Sequence, residues 1–304
     1  MLEIAIMIEG QNGLNWPRWQ RLVAAVEDLG FVGLYRSDHF TNSDPPDKDS
    51  LECWVSLTWL ASHTNRIEFG PLVSPFSFRH PAILARMAVA VDDLSSGRLT
   101  LGVGGGWQER EHHLFGLPLL DKKDRFERFE EGLEVVTRLL KSSEPSTVKG
   151  NYFQLDGAVL LPRPGRSGGP RILVGGNGEK KTMALAARYA DEWNAVFLPP
   201  EEWARKNALM DGLIQAAGRR PKAVRRSMMT GIRFGATKKD IQAQLARGSH
   251  TAADLRQRGL VVGVGEEVKQ QLAKLEQTGL QRIMLQWLDL DEIKRLEDLA
   301  KALL

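Results

Sequence analysis

The strongest constraint on how this chain can fold is a strand-helix alternation that runs through nearly its whole length. Ile4 to Ile8 is apolar and strand-like, and Trp16 to Leu29 is amphipathic, with Pro17 near its start and Gly30 as its stop. The pattern then repeats. Strands are expected at Phe31–Tyr35, Ile67–Val73, Leu99–Val103, Ile172–Gly175, Glu192–Phe197, Met228–Phe234 and Arg282–Gln286. Helices are expected at Leu51–Ser62, Pro81–Ser95, Lys123–Lys141, Lys181–Tyr189, Pro200–Ala217, Glu266–Thr278 and Leu290–Leu303. Eight strand-helix pairs predict an α/β fold, a TIM (β/α)8 barrel in one domain over residues 1–304. A doubly wound open sheet is the competing architecture. The strand count, and the absence of a Gly-x-Gly-x-x-Gly after the first strand, argue against it.

Two segments interrupt the alternation. Lys149–Phe153 and Ala158–Leu161 read as a hairpin excursion, and Pro162–Pro170 as a turn-rich linker. The polar stretch after the seventh strand, about 237–262, reads as an insertion of short helices with no clear strand.

A chain of 304 residues, 42% hydrophobic, can bury a core of this size. Its 41 basic and 38 acidic residues leave a net charge of only +3, with no dense Lys/Arg block, so no nucleic-acid partner is expected. The single cysteine, Cys53, excludes an intrachain disulfide framework and points to a reducing compartment. No apolar run approaches the ~20 residues of a membrane span, and the N-terminus lacks a signal pattern. A cytoplasmic protein with no membrane partner is expected.

A barrel of this kind places its chemistry at the C-terminal ends of its strands. Those positions read Glu9-Gly10-Gln11, Asp38-His39, Val73-Ser74-Pro75, Gly104-Gly105-Gly106-Trp107, Gly175-Gly176-Asn177-Gly178, Phe197, Gly231 and Gln286-Trp287. Glycine, aromatic and amide groups dominate, which suits a flat aromatic cofactor better than a metal-bound water. His80 and His112-His113 lack ligand spacing, so no metal site is expected.

His39 is the candidate proton-transfer group, since imidazole titrates near pH ~6.5. Asp38 either orients it or accepts a cofactor hydrogen bond; the bland alternative is that the pair only shapes its loop. Consecutive glycines at 104–106 let backbone approach a ligand closely. Glu109 and Glu111 follow, carboxylates whose ordinary fate on so charged a segment is solvation. Gly175, Gly176, Asn177 and Gly178 precede a helix, where free N–H groups favour an anion, and Lys180 and Lys181 add charge. Pro71 within a buried strand suggests a bulge. Phe76, Phe78, Trp54 and Trp107 supply either pocket walls or plain core.

These blocks, taken in order, resemble the luciferase-like monooxygenase superfamily, specifically its deazaflavin (coenzyme F420) branch. The resemblance is carried by Ile8-Glu9-Gly10-Gln11, Phe31 to Phe40, Gly70 to Pro81, Asp93 to Trp107, Arg125-Phe126-Glu127, Gly175 to Glu179, and Ala187 to Asn194. It implies a barrel with an insertion after the seventh strand, usually a homodimer, with a flavin-type ring over the mouth. It implies a non-proline cis peptide at Pro71-Leu72 or Leu72-Val73 behind that ring, and a cofactor phosphate on Gly175, Gly176 and Gly178. Asp38 and His39 match the pair that lies at the ring in F420-dependent members. In the branch's sugar-phosphate dehydrogenases a glutamate ends the fourth-strand glycine loop and acts as acid. Here that place is Trp107, which argues against that substrate and leaves Glu109 as the substitute acid.

Three functions follow from this resemblance. The first is an F420-dependent oxidoreductase moving a hydride to or from a small organic substrate. The second is an FMN-dependent monooxygenase fed by a separate flavin reductase (a separate F420 reductase would play the same part for the first). The third is a barrel that binds a cofactor without turnover.

Overall fold

The computed structural model describes all of residues 1–304. Its barrel strands are Glu3–Ile8, Gly33–Arg36, Glu68–Pro71 continued by Ser74–Pro75, Thr100–Gly104, Arg171–Gly175, Glu192–Val196, Arg225–Phe234 and Arg282–Gln286. All pair in parallel, and the register runs round the ring: Ile6 with Leu34, Leu34 with Phe69, Val103 with Val174, Val174 with Trp193, Ala195 with Met228, and Met228 with Ile283. Ile283 returns to Ile4. The expected (β/α)8 barrel is therefore the fold.

Closure depends on the third strand. Its first half, Glu68–Pro71, pairs with the second strand, and its second half, Ser74–Pro75, pairs with Val103 and Gly104 of the fourth. Between them the backbone breaks at a cis peptide, Leu72-Val73, one of the two places expected. The third and fourth strands meet where Gly70 and Gly102 carry no side chain. A Cβ on Gly70 would collide with the Thr100 carbonyl, and one on Gly102 with the Pro71 carbonyl.

Strand alternation sorts the core into two layers. Ala5, Met7, Tyr35, Leu173 and Met284 fill the barrel axis. A cluster of 64 residues, including Ile6, Leu34, Phe69, Val103, Val174 and Ile283, lies between strands and helices. The helices carry their own stop signals. Asn15 caps the Trp16–Leu29 helix by accepting from the Arg18 N–H at 3.2 Å, and Gly30 ends it at φ +94°. No helix is long and apolar enough to cross a membrane.

Some boundaries differ from expectation. The hairpin strands are Ser146–Lys149 and Gln154–Ala158. Residues 150–153 form the turn because the Glu131 carboxylate accepts from the N–H groups of Asn151, Tyr152 and Phe153, at 2.9, 2.8 and 3.2 Å. A carboxylate on a distant helix is invisible to local pattern. The insertion holds the helices Lys238–Leu245 and Ala252–Gln257, each started by a Thr/Asp capping box. It also ends in an unexpected strand, Val261–Gly263, which pairs with the tail of the seventh strand at Ile232–Phe234. Three residues are too few to show a period. The helix Glu109–Leu114 was likewise not expected.

The barrel floor is ionic. Arg282, 1% exposed, donates to Glu3 at 2.7 Å, to Glu68 at 2.8 Å and to the Tyr35 hydroxyl at 2.6 Å. Glu192 is fully buried 3.7 Å from Arg282 and from Arg225. Burial raises the Glu192 pKa, and the Arg282 charge opposes that only in part. Removing one partner from such a group leaves uncompensated buried charge. Arg282→Met should destabilise the protein by ~3–5 kcal/mol, read from the urea midpoint at unchanged slope.

Candidate functional site

The mouth of the barrel is built first by Arg36, which is 1% exposed at the end of the second strand. Its guanidinium donates to the Ser56 hydroxyl at 2.6 Å and to the Leu51 carbonyl at 2.6 Å. A Cβ on Gly10 would collide with it. The Ser37 hydroxyl accepts from the Gly10 N–H at 2.8 Å and donates to the Gln11 side-chain carbonyl at 2.6 Å. These contacts tie the loops after the first and second strands together, and so fix where Asp38 and His39 begin.

Asp38 and His39 then diverge. The Asp38 carboxylate is buried in the wall, accepting from the Ser74 hydroxyl at 2.5 Å and from Arg79 at 2.5 and 3.3 Å. It does not orient His39. That role falls to Glu111, whose carboxylate lies 2.8 Å from His39 Nδ1 and accepts the Phe40 N–H at 3.0 Å. Glu111 is 1% exposed on the short helix Glu109–Leu114. Glu109, the acid suggested by the sequence, faces solvent on that helix. Helix phase explains the exchange, since residues two apart point to different sides.

His39 engages Glu111 through Nδ1 and makes no hydrogen bond through Nε2, and its side chain is 19% exposed. Trp107, 61% exposed, stands edge-on to its ring with centroids 5.6 Å apart. Burial alone would lower the His39 pKa. The Glu111 hydrogen bond and charge, helped by Glu9 and Asp38, outweigh that, and the pKa is raised. The imidazole is therefore poised to hold a proton above its ordinary titration range.

The glycine loop after the fourth strand lines a cavity of about 360 Å³ that Gly175 borders at the end of the fifth strand, while Gly176, Asn177 and Gly178 lie outside its lining. Val73, Gly104, Gly105, Gly106, Trp107 and Gly175 form its wall, with Lys122 and Arg125 at the rim. A Cβ on Gly104 would sit 2.7 Å from Val73, so the loop must be bare for the backbone to lie there. The N–H groups from Asn177 to Lys181 have no acceptor in the chain. Arg125 donates to the Gly106 carbonyl at 3.2 Å, while its Nε is buried without a partner. An orphaned guanidinium nitrogen, bare backbone and a run of free N–H groups fit an anionic group carried by a flat ligand. Pro71 stays in the strand, and Leu72 packs on the inner cluster, so of that trio only Val73 faces the cavity.

The sequence placed the cationic help on Lys180 and Lys181, and neither lines this cavity. Lys122 and Arg125 do, from the helix Lys122–Lys141. The Asn177 side chain is occupied: it donates to the Val196 carbonyl at 2.7 Å and accepts the Val196 N–H at 2.9 Å. The buried Lys206 holds the same loop, donating to the Asn177 carbonyl at 3.1 Å and to Glu179 at 2.6 Å. Phe197 takes φ +51°, a conformation rare for a bulky residue. Trp54 and Phe76 are core, whereas Phe78 stacks on Phe40 at 4.3 Å. No group of three or more His, Cys, Asp or Glu is placed to hold a metal.

Because Glu111 raises the His39 pKa, Glu111→Gln should move the His39 titration, followed by NMR, to lower pH. The pair's contribution to stability is present below the ordinary imidazole pKa of ~6.5 and fades as pH rises through the higher native value. The stability gap between wild type and variant should therefore be larger at pH ~6 than at pH ~9.

A family model described as luciferase-like monooxygenase matches residues 3–258. The 4-hydroxyprotoasukamycin monooxygenase of Streptomyces nodosus subsp. asukaensis is 36% identical over 188 residues, covering 62% of this chain and 49% of that protein. An F420-dependent hydroxymycolic acid dehydrogenase of Mycobacterium tuberculosis is 32% identical over 211 residues, 67% of this chain and 56% of that one. The chain thus spans about half the length of the curated relatives it matches. Among solved structures, an F420-dependent secondary alcohol dehydrogenase in complex with an F420-acetone adduct superposes with TM-score 0.85 at 18% identity, over 100% of this chain and 99% of that one. The chain belongs to the luciferase-like monooxygenase family of oxidoreductases.

Proposed function

We propose that this protein is a coenzyme F420-dependent oxidoreductase acting on a small organic substrate. The observation that carries the reading is the His39–Glu111 pair at the mouth. A hydride leaving an alcohol carbon must be matched by a proton leaving its oxygen, and a carbonyl being reduced must gain one. An imidazole held by a buried carboxylate, with its other nitrogen free, can do either. The F420-dependent dehydrogenases among the relatives support the same reading.

The cavity between Val73, the 104–106 glycines and Gly175 would hold the cofactor's ring, and Arg125, Lys122 and the free N–H groups of residues 177–181 its phosphate. When bound, the deazaflavin supplies two-electron hydride chemistry. Val73 would back the ring, and Trp107 stands edge-on to His39 at the mouth. His39 exchanges the substrate proton through Nε2, and Glu111 stabilises the imidazolium that results. Asp38, neutralised by Arg79, holds Ser74 and the loop beneath in place.

A second reading, an FMN-dependent monooxygenase supplied by a separate reductase, is favoured by the monooxygenases among the relatives. The assembly that goes with either reading is a homodimer. Exposed Val55 and Ile83, on the adjacent helices Cys53–His63 and Pro81–Leu94, supply an apolar face for it.

Titrating the protein with oxidised F420 and with FMN, followed by fluorescence, separates the readings. The first expects F420 to bind at least tenfold more tightly, ~1.4 kcal/mol; the reverse order would move the protein to the monooxygenases. His39→Ala should abolish turnover while leaving cofactor affinity within about twofold. Surviving activity would remove His39 from its role.

A further inference from the structure

A second cavity, of about 330 Å³, lies at the opposite side of the barrel from the glycine loops, between the seventh and eighth strands and the insertion. Its charged lining is Arg233, Arg247, Arg295 and Asp289. Arg295 is paired with Asp289 and lies over the Trp287 ring at 5.4 Å, so the one carboxylate is already neutralised. Arg247, exposed just beyond the insertion helix, forms no ion pair. Arg233 reaches only its neighbour's backbone, donating to the Ile232 carbonyl at 3.1 Å. Two guanidinium groups therefore face this space without a counter-charge.

Strand alternation places Arg233 on the axis side. Met229 packs against the inner cluster, and Arg233, four residues on, shares its face. It stands two residues beyond Gly231, whose register partner Gln286 donates to Glu9 at the mouth at 2.7 Å. Arg233 therefore projects at the same C-terminal end of the barrel that carries His39 and Glu9. A neighbouring groove shares Arg247, Arg295 and Asp289 but adds Asp240, Glu292 and Asp298 against the single Lys294, so its added charge is net negative and the space beside Arg233 is the favourable one for an anion.

We propose that this cavity is a substrate subsite for an oxyanion, in which Arg233 and Arg247 hold a phosphate or carboxylate group while the reacting carbon lies at the mouth. Guanidinium forks match both groups bidentately. The substrate class is then a small alcohol or carbonyl compound bearing an anionic end. This rests on the mouth being the active site, as proposed above.

The test is calorimetric titration of inorganic phosphate, and separately acetate, into protein loaded with whichever of F420 or FMN it binds. The loaded cofactor fills the glycine-loop cavity, so the heat reports the arginine cavity. At least one anion should bind, and Arg233→Gln and Arg247→Gln should each weaken it by about tenfold. Arg220→Gln, an exposed arginine elsewhere, should leave it unchanged. Arg247 is exposed, so R247Q keeps the test sound should R233Q misfold. No heat with either anion, or binding indifferent to both variants, overturns the subsite. If neither cofactor binds, the titration is run on the free protein. Loss of phosphate binding in R233Q would then uphold the anion site and remove the functional reading instead.

Discussion

The barrel closes at one seam, and the seam exists because two residues lack a Cβ. Gly70 and Gly102 let the third and fourth strands approach to a separation that any side chain would block by striking the Thr100 or Pro71 carbonyl. Everything at the mouth inherits that geometry. Past that seam Ser74 donates to Asp38, while Val73 faces the Gly104 backbone. The inner wall of the glycine-loop cavity is therefore a consequence of how the sheet becomes a cylinder.

Charge is organised differently at the two ends. On the floor, the buried Arg282 joins acids brought from three other strands, of which Glu192 is fully buried while Glu3 and Glu68 reach solvent. At the mouth, the carboxylates are sorted between separate cationic partners. Arg79 pairs with Asp38, and Glu111 is the carboxylate that holds His39. Lys206 and Glu179 fix the fifth-strand loop, which leaves its N–H groups free. Low exposure strengthens these pairings and makes them specific.

Much of the fold was legible along the chain. The helix from Trp16 to Leu29 was read to the residue because Asn15, Pro17 and Gly30 are local signals. The eighth strand was likewise exact, as a short apolar run between turn residues. Local pattern failed where a distant group decided the conformation. Glu131 draws the hairpin turn, and the seventh strand's tail recruits Val261–Gly263. The glycine loops were identified because consecutive glycines have few uses other than close approach. The nearest cations in sequence, Lys180 and Lys181, do not line that cavity. Lys122 and Arg125 arrive instead from the preceding helix.

By itself the sequence determined the strand-helix order, and with it which loops gather at one end of a barrel. Strand polarity is carried along the chain, so Asp38, His39, the 104–106 glycines and Gly175–Gly178 had to share the mouth. Only the tertiary structure decided which side chains meet there. Helix phase turned Glu111 inward and Glu109 out, and the bond to Arg79 removed Asp38 from His39. These pairings depend on separations of 2.5 and 2.8 Å between residues 41 and 72 apart in the chain. Periodicity places an element, and its contacts across the barrel are fixed only once the sheet has closed.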